Sequence, residues 1–304
     1  MKTSISIALA LVAALACAHG AAVAKQGVSL NPMVKPMVWP MPSIGGDFIS
    51  EEIIGGTDAD PAEFPHQVSM QVSMLWIVEQ HICGGTILNE EWVLTAGHCV
   101  KGVPWYTSAF ILAGKTNLGV KEAGQQRSAV KKMFTHEKFR GGVGPYDIGL
   151  LHLKTKLVLS DTIKPAKLPA QGAVPTGQAT LSGWGSISTS QELVMPKQLQ
   201  KLDLPIIPFD ACNDAIQKLS DANGEKNPLV ESSNVCVGHL DKAGQGACNG
   251  DSGGPLIQVV DGEVVVIGAT SWGYFPCQAE AAPSVYTKVS AFVDWINENI
   301  APAH

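Results

Sequence analysis

The chain has 304 residues, 45% apolar and 16% charged, a composition that can bury a large core and excludes an intrinsically disordered protein. Its 31 glycines and 19 prolines are scattered without a period, which suits short strands joined by turns and disfavours a helical bundle. The net charge of −6 comes with no basic stripe and no polybasic run, so neither a nucleic acid nor a membrane surface is an expected partner.

In chain order, Lys2 precedes an apolar run over residues 5–16, and Ala16-Cys17-Ala18 supplies the small residues of a cleavage site. The run is too short to span a bilayer, so residues 1–18 read as a signal peptide and the protein as secreted. Residues 19–52 differ in composition from all that follows. Pro32, Pro36, Pro40 and Pro42 interleave with Met and Val, which forbids a regular helix and favours extended chain. This segment reads as a propeptide ending at Glu51-Glu52, with the functional domain over 53–304.

Beyond Ile53, strand-like runs at 67–78, 86–94, 148–153 and 264–272 recur between turn signals, the rhythm of an all-β sandwich or barrel. One stretch reads as a helix. Over 290–300, Phe292, Val293, Ile296 and Ile300 recur at helical spacing, with Ser290 as N-cap. Cys17 leaves with the signal peptide. The remaining six cysteines, Cys83, Cys99, Cys212, Cys236, Cys248 and Cys277, suit three disulfides in an exported chain, and counting alone leaves their pairing open. No Cys-x-x-Cys occurs, and no metal or cofactor is expected.

Peptide hydrolysis by a hydroxyl needs an exposed serine on a tight turn, an imidazole to take its proton, a carboxylate to orient the imidazole, and donors for the oxyanion. Each has a candidate in a distinctive context. Ser252 lies in Gly250-Asp251-Ser252-Gly253-Gly254-Pro255, whose glycines permit a sharp turn. His98 lies in Thr95-Ala96-Gly97-His98-Cys99, after an apolar run, and Asp147 in Tyr146-Asp147-Ile148, where polar chain gives way to an apolar strand. A lone histidine or aspartate says little, but all three in the order His, Asp, Ser form a specific signal. A lipase-type hydrolase would place the serine first and inside Gly-x-Ser-x-Gly.

With these landmarks, joined by Ile53-Ile54-Gly55-Gly56, Gly183-Trp184-Gly185 and Ser271-Trp272-Gly273, the sequence resembles the chymotrypsin-like (trypsin-like) serine proteases from Ile53 to about Ile300. The resemblance implies two six-stranded antiparallel β-barrels, at about 53–164 and 165–288, followed by a C-terminal helix. It implies the disulfides Cys83–Cys99, Cys212–Cys236 and Cys248–Cys277. It makes Ser252 the nucleophile, His98 the general base, Asp147 its orienting partner, and the N–H groups of Gly250 and Ser252 the oxyanion hole. It also implies activation by a cut before Ile53, whose new α-ammonium pairs with Asp251, with Ser69 and His81 matching positions that hold this aspartate in some inactive precursors. Glu52 precedes that bond, so the activating protease is expected to accept an acidic residue or to trim after an upstream cut.

Substrate binding is expected at Gly246, Ser271, Trp272, Gly273 and Ser284. Trypsin-like members carry Asp where Gly246 stands, so a basic side chain would find no counter-charge. Cleavage after large apolar residues is expected, with elastase-like or broad collagenase-like preference as alternatives. The family's calcium loop usually opens with a carboxylate after an Ala-Gly pair, and here Lys115 follows Ala113-Gly114. Expected partners are protein or peptide substrates, the activating protease and protein inhibitors, with a monomer as the resting state. The reading from another class is a non-catalytic homologue that binds partners through the same fold; retention of all three triad residues weighs against it.

Overall fold

The computed structural model describes residues 33–36, 53–74 and 78–301. The expected signal peptide lies outside the described residues, as does the expected propeptide except for 33–36. Two short strands come first, β1 (Met33–Pro36) and β2 (Thr57–Asp58). A closed antiparallel barrel follows, built from β3 (Gln67–Met74), β4 (Val78–Ile87), β5 (Trp92–Thr95), β6 (Ser108–Ala113), β7 (Gln126–Thr135) and β8 (Gly149–Leu153) in the order β3-β4-β5-β8-β7-β6. A second set comprises β9 (Gln178–Gly183), β10 (Gln200–Ile207), β11 (Asn234–Val237), β12 (Pro255–Val260), β13 (Glu263–Phe275) and β14 (Ser284–Lys288). These run β13-β12-β9-β10-β11-β14 and close through the β13–β14 pairing, with β1 on β13 and β2 on β10. The fold is therefore two six-stranded antiparallel β-barrels with few helices.

The alternation in β3 explains how the barrels meet. Val68, Met70 and Val72 share one face, and the first two join Val93, Ile111 and Leu151 in the first barrel's core. Gln67, Ser69, Gln71 and Ser73 occupy the other face and are also buried, because that face turns toward the second barrel. There Ser182 Oγ donates to Gln67 Oε1 at 2.7 Å, pairing two oxygens buried away from water. The second barrel closes over Leu181, Leu204, Val237, Leu256 and Tyr286, and Ile53 belongs to the same cluster.

Among the described residues the α-helices are α1 (Gly97–Lys101), α2 (Phe209–Asn223) and α3 (Val293–Ile300). The last corrects one sequence expectation. The helix is capped at Phe292 without a side-chain bond, and Ser290 lies in a preceding 3-10 turn whose hydroxyl donates to Ala173 O at 2.5 Å. The second helix was not anticipated at all. Its buried stripe is only Cys212, Ile216 and Ser220, and Gly224 ends it in a left-handed conformation.

The C-terminal helix crosses back to the first barrel. Phe292 and Ile296 pack with Trp92, Leu94, Ile148 and Leu150, next to the strand that follows Asp147. Phe292 also meets Tyr146 edge-on, with ring centres 5.9 Å apart. Replacing Phe292 by Ala should therefore cost about 3–5 kcal/mol of stability, read as a lower denaturant midpoint in equilibrium unfolding.

Candidate active site

β5 is buried at all four positions and pairs with β8 so that Thr95 faces Gly149. The residues just beyond these two strand ends are therefore neighbours. On one side the chain turns into α1, which carries His98 and Cys99, and Cys99 is bonded to Cys83 of β4. On the other side stands Asp147. Tyr146 before it has φ +63°, an uncommon conformation for a non-glycine, with its N–H donating to Ser233 Oγ at 2.9 Å. Its ring stacks on His136, with centres 4.9 Å apart.

Asp147 is 1% exposed and its carboxylate is fully used. Oδ1 accepts the backbone N–H of His98 at 2.7 Å, and Oδ2 accepts both His98 Nδ1 and Ser271 Oγ at 2.6 Å. Its carbonyl accepts Thr287 Oγ1 at 2.7 Å. An ionised carboxylate can only accept, so Nδ1 of His98 carries the proton and Nε2 presents a lone pair. That Nε2 is buried and has no hydrogen-bond partner among the described residues.

Ser252 reaches this place from the second barrel. Its turn is tied internally by Asp251 N–H to Cys248 O at 3.0 Å and Gly254 N–H to Asp251 O at 2.8 Å. It is tied outward by Gly253 N–H to Thr270 O and by Gly84 N–H to Ser252 O, both at 2.8 Å. Gly253 has φ +71°, and a Cβ there would overlap Thr95 Oγ1 and lie 2.8 Å from Ala96 N. Only glycine lets the serine turn press against the end of β5, just before His98. His98, Asp147, Ser252 and Ser271 thus converge at the seam between the barrels.

Asp251 is the second buried carboxyl. It accepts Gly185 N–H at 2.8 Å and Cys248 N–H at 2.9 Å, yet burial pushes its pKa up to about 7 against the lowering effect of those bonds. Ser69 and His81 do not hold it in this conformation. His81 Nε2 instead donates to Gly250 O at 2.9 Å, while Ser69 Oγ donates to Nδ1 at 2.8 Å. Burial lowers the His81 pKa to about 4, so the ring is neutral at neutral pH and serves as a fixed strut for the Gly250 carbonyl.

Gly246, the expected pocket floor, is covered by a residue that sequence reasoning missed. A Cβ at Gly246 would overlap the Gln278 amide and come 2.7 Å from Ser284 Oγ. Gln278 is buried, takes φ +53°, and donates from Nε2 to Ala282 O at 3.2 Å and to Ser284 Oγ at 3.4 Å. Ser284 Oγ also accepts Ala247 N–H at 3.1 Å. The Cys248–Cys277 disulfide pins the Gln278 segment to the segment before Ser252. The third disulfide is Cys212–Cys236. The clue in the sequence was position alone: Gln278 directly follows the pinned cysteine.

Among the described residues, two places gather side chains of the kind that bind metals, and neither suits one. Cys83, His98 and Cys99 lie close together, but the cysteines are bonded to each other and offer no thiolate. In the loop after β6 the Lys115 ammonium donates to Val120 O and to Gln125 Oε1, the latter at 3.1 Å. Glu122 accepts the N–H groups of Thr116 at 2.7 Å and Asn117 at 3.1 Å. A side-chain cation already fills this loop, which is a poor donor set for calcium.

This combination of barrels and site is that of the chymotrypsin-like serine proteases. The sequence matches the family model described as Trypsin over residues 53–296. It is 38% identical over 249 residues to Trypsin-1 of Astacus astacus, covering 81% of this chain and 99% of that protein. It is 37% identical to Lectizyme of Glossina austeni, covering 83% and 88%, and 38% identical to Fibrinolytic enzyme, isozyme C, of Lumbricus rubellus, covering 81% and 99%. The chain belongs to the trypsin family of serine proteases and is a serine-type endopeptidase.

The buried Asp251 gives the uncut chain a pH signature. Between about pH 4 and 7 the folded state keeps a proton that the unfolded state releases, so stability falls as pH rises through that window. The full cost, reached above about pH 7, is on the order of 4 kcal/mol. Unfolding of the uncut chain at a series of pH values should show this decline, and Asp251→Asn should flatten it; a parallel profile in the variant would refute the assignment.

Proposed function

We propose that the chain is a secreted endopeptidase that acts through Ser252, His98 and Asp147 and cleaves after apolar residues. The observation that carries the mechanism is the saturated carboxylate of Asp147, which holds His98 with its Nε2 lone pair at the Ser252 turn. Ser252 Oγ attacks the substrate carbonyl carbon while His98 Nε2 takes its proton. The tetrahedral oxyanion is met by the N–H groups of Gly250 and Ser252, and His98 returns the proton to the leaving amine. Loss of one oxyanion donor typically costs about 100- to 1,000-fold in rate. Because His81 braces the Gly250 carbonyl, it acts as a positioning residue for that donor.

One of these relatives is named a trypsin, but the pocket floor speaks against that preference passing to this chain. Gly246 carries no charge, and the groups closing over it are an amide and a hydroxyl. Burying a lone ammonium or guanidinium there would be expensive. The Gln278 side chain also shortens the floor, which favours Leu and Met over the longest aromatic side chains. Trp272 and Gly273 offer a strand edge to the substrate backbone.

Cleavage before Ile53 is the proposed activation step. The new α-ammonium would give Asp251 the cation its buried site lacks, lowering its pKa and removing the cost of ionising it. Glu52 before that bond calls for an activating protease that accepts an acidic residue. Export by the segment 1–18, a monomeric state and capture by protein protease inhibitors complete the reading.

Four measurements test it. A fluorophosphonate probe should label Ser252 in the activated enzyme, and absence of labelling would make the chain a binding module. N-terminal sequencing of the natural active form should begin at Ile53. In a panel of peptides differing only before the scissile bond, Leu, Met and Phe should exceed Arg by at least about 100-fold, in line with an unpaired buried charge. Gln278→Gly should raise kcat/KM for Phe and Tyr relative to Leu by several-fold.

A further inference from the structure

The described part of the segment before Ile53 is a strand on β13. β1 pairs antiparallel in the register Met33–Phe275, Val34–Tyr274, Lys35–Gly273 and Pro36–Trp272. The pairings fix which edge it uses. Trp272 has Val285 of β14 on one side, so β1 takes the other. At Ala269 the neighbours are Thr287 of β14 and Pro255 of β12, so β12 and β1 share one edge. Between them, Thr270 is bonded to the serine turn itself, its N–H to Gly254 O at 3.0 Å and its carbonyl to Gly253 N–H at 2.8 Å. Read along that edge, the partners are β12, the Ser252 turn, then β1.

Direction and alternation add to this. β1 runs from Phe275 toward Trp272, so its C-terminal end heads for Ser252. In an antiparallel pair, hydrogen-bonded and non-bonded positions alternate, and proline lacks the N–H that a bonded position needs. Pro36 therefore suits the non-bonded position opposite Trp272, which makes Lys35–Gly273 the bonded pair.

We propose that the segment 33–36 occupies the substrate groove in cis, bound to the β13 edge as a substrate would be. The inference rests on the endopeptidase reading above and names that site's first occupant. The sixteen residues 37–52 can span up to about 50 Å, ample for one chain to supply both this strand and the buried Ile53. Tethering gives the segment an effective concentration on the order of millimolar, which keeps free peptides out. A cut before Ile53 severs the tether, so one cleavage both creates the new ammonium and lets the groove empty.

The test uses the full chain carrying Ser252→Ala, titrated with a fluorescein-labelled synthetic peptide of residues 30–41. Binding should be weak to this chain and at least tenfold tighter when the chain also carries Lys35→Pro, which removes the bonded N–H opposite Gly273 outside the barrels. A labelled peptide with the same Lys35→Pro change should bind at least tenfold more weakly to the opened groove. Equal affinity of the two chains, or no saturable binding by either, overturns the proposal. The activated wild-type enzyme is assayed separately on unrelated peptides. Failure to hydrolyse any of them would sink the endopeptidase reading without affecting the binding result.

Discussion

The structure depends on how the lone pairs of one buried carboxylate, that of Asp147, are met in the seam between two barrels. A buried charge is tolerated only when its lone pairs are met by good donors. Asp147 meets that condition with donors from both sides, His98 from the first barrel and Ser271 from the second, while Thr287 holds its backbone carbonyl. The bonds that satisfy the charge therefore also align the barrels. Tyr146 accepts an uncommon backbone angle to deliver the carboxylate there, and His136 and the C-terminal helix pack around its ring.

Asp251 is the contrasting case, next to Ser252. It has two backbone N–H donors and a pKa near neutrality, so its ionisation is only partly supported. The difference between the two aspartates is instructive. Asp147 is finished by hydrogen bonds that folding alone supplies. Asp251 sits where a cation would change the energy of the whole serine turn, because its backbone and those of Cys248 and Gly254 form that turn. A charge that can be delivered by a single peptide-bond cleavage is a suitable control for such a turn.

Much of this was legible in the sequence where the physics is local. The contexts of His98, Asp147 and Ser252 are short, and their glycines and apolar flanks reflect contacts made within a few residues. The alternation in β3 was equally plain, although its polar half, buried against the other barrel, could not be told from a solvent-facing edge. What stayed hidden depends on distant partners. The hydroxyl of Ser290 looks like a helix cap until Ala173 is brought beside it. The helix over Phe209–Asn223 shows too thin an apolar stripe to announce itself. Gln278 covers Gly246 only because a disulfide and a left-handed backbone angle, rarely chosen by glutamine, aim it there.

β13 shows how closely scaffold and function are joined. Ile267 belongs to the second barrel's core, Thr270 holds the serine turn, and Ser271 bonds Asp147. The following residues, Trp272 to Phe275, carry β1 on their open edge. A sheet edge invites another strand, and this one continues from the residue that holds the Ser252 turn. Filling it with the chain's own segment answers the edge problem and the control problem together. The same hydrogen bonds that would recruit a substrate backbone are satisfied in advance by a strand whose tether ends at the residue where activation is proposed to occur.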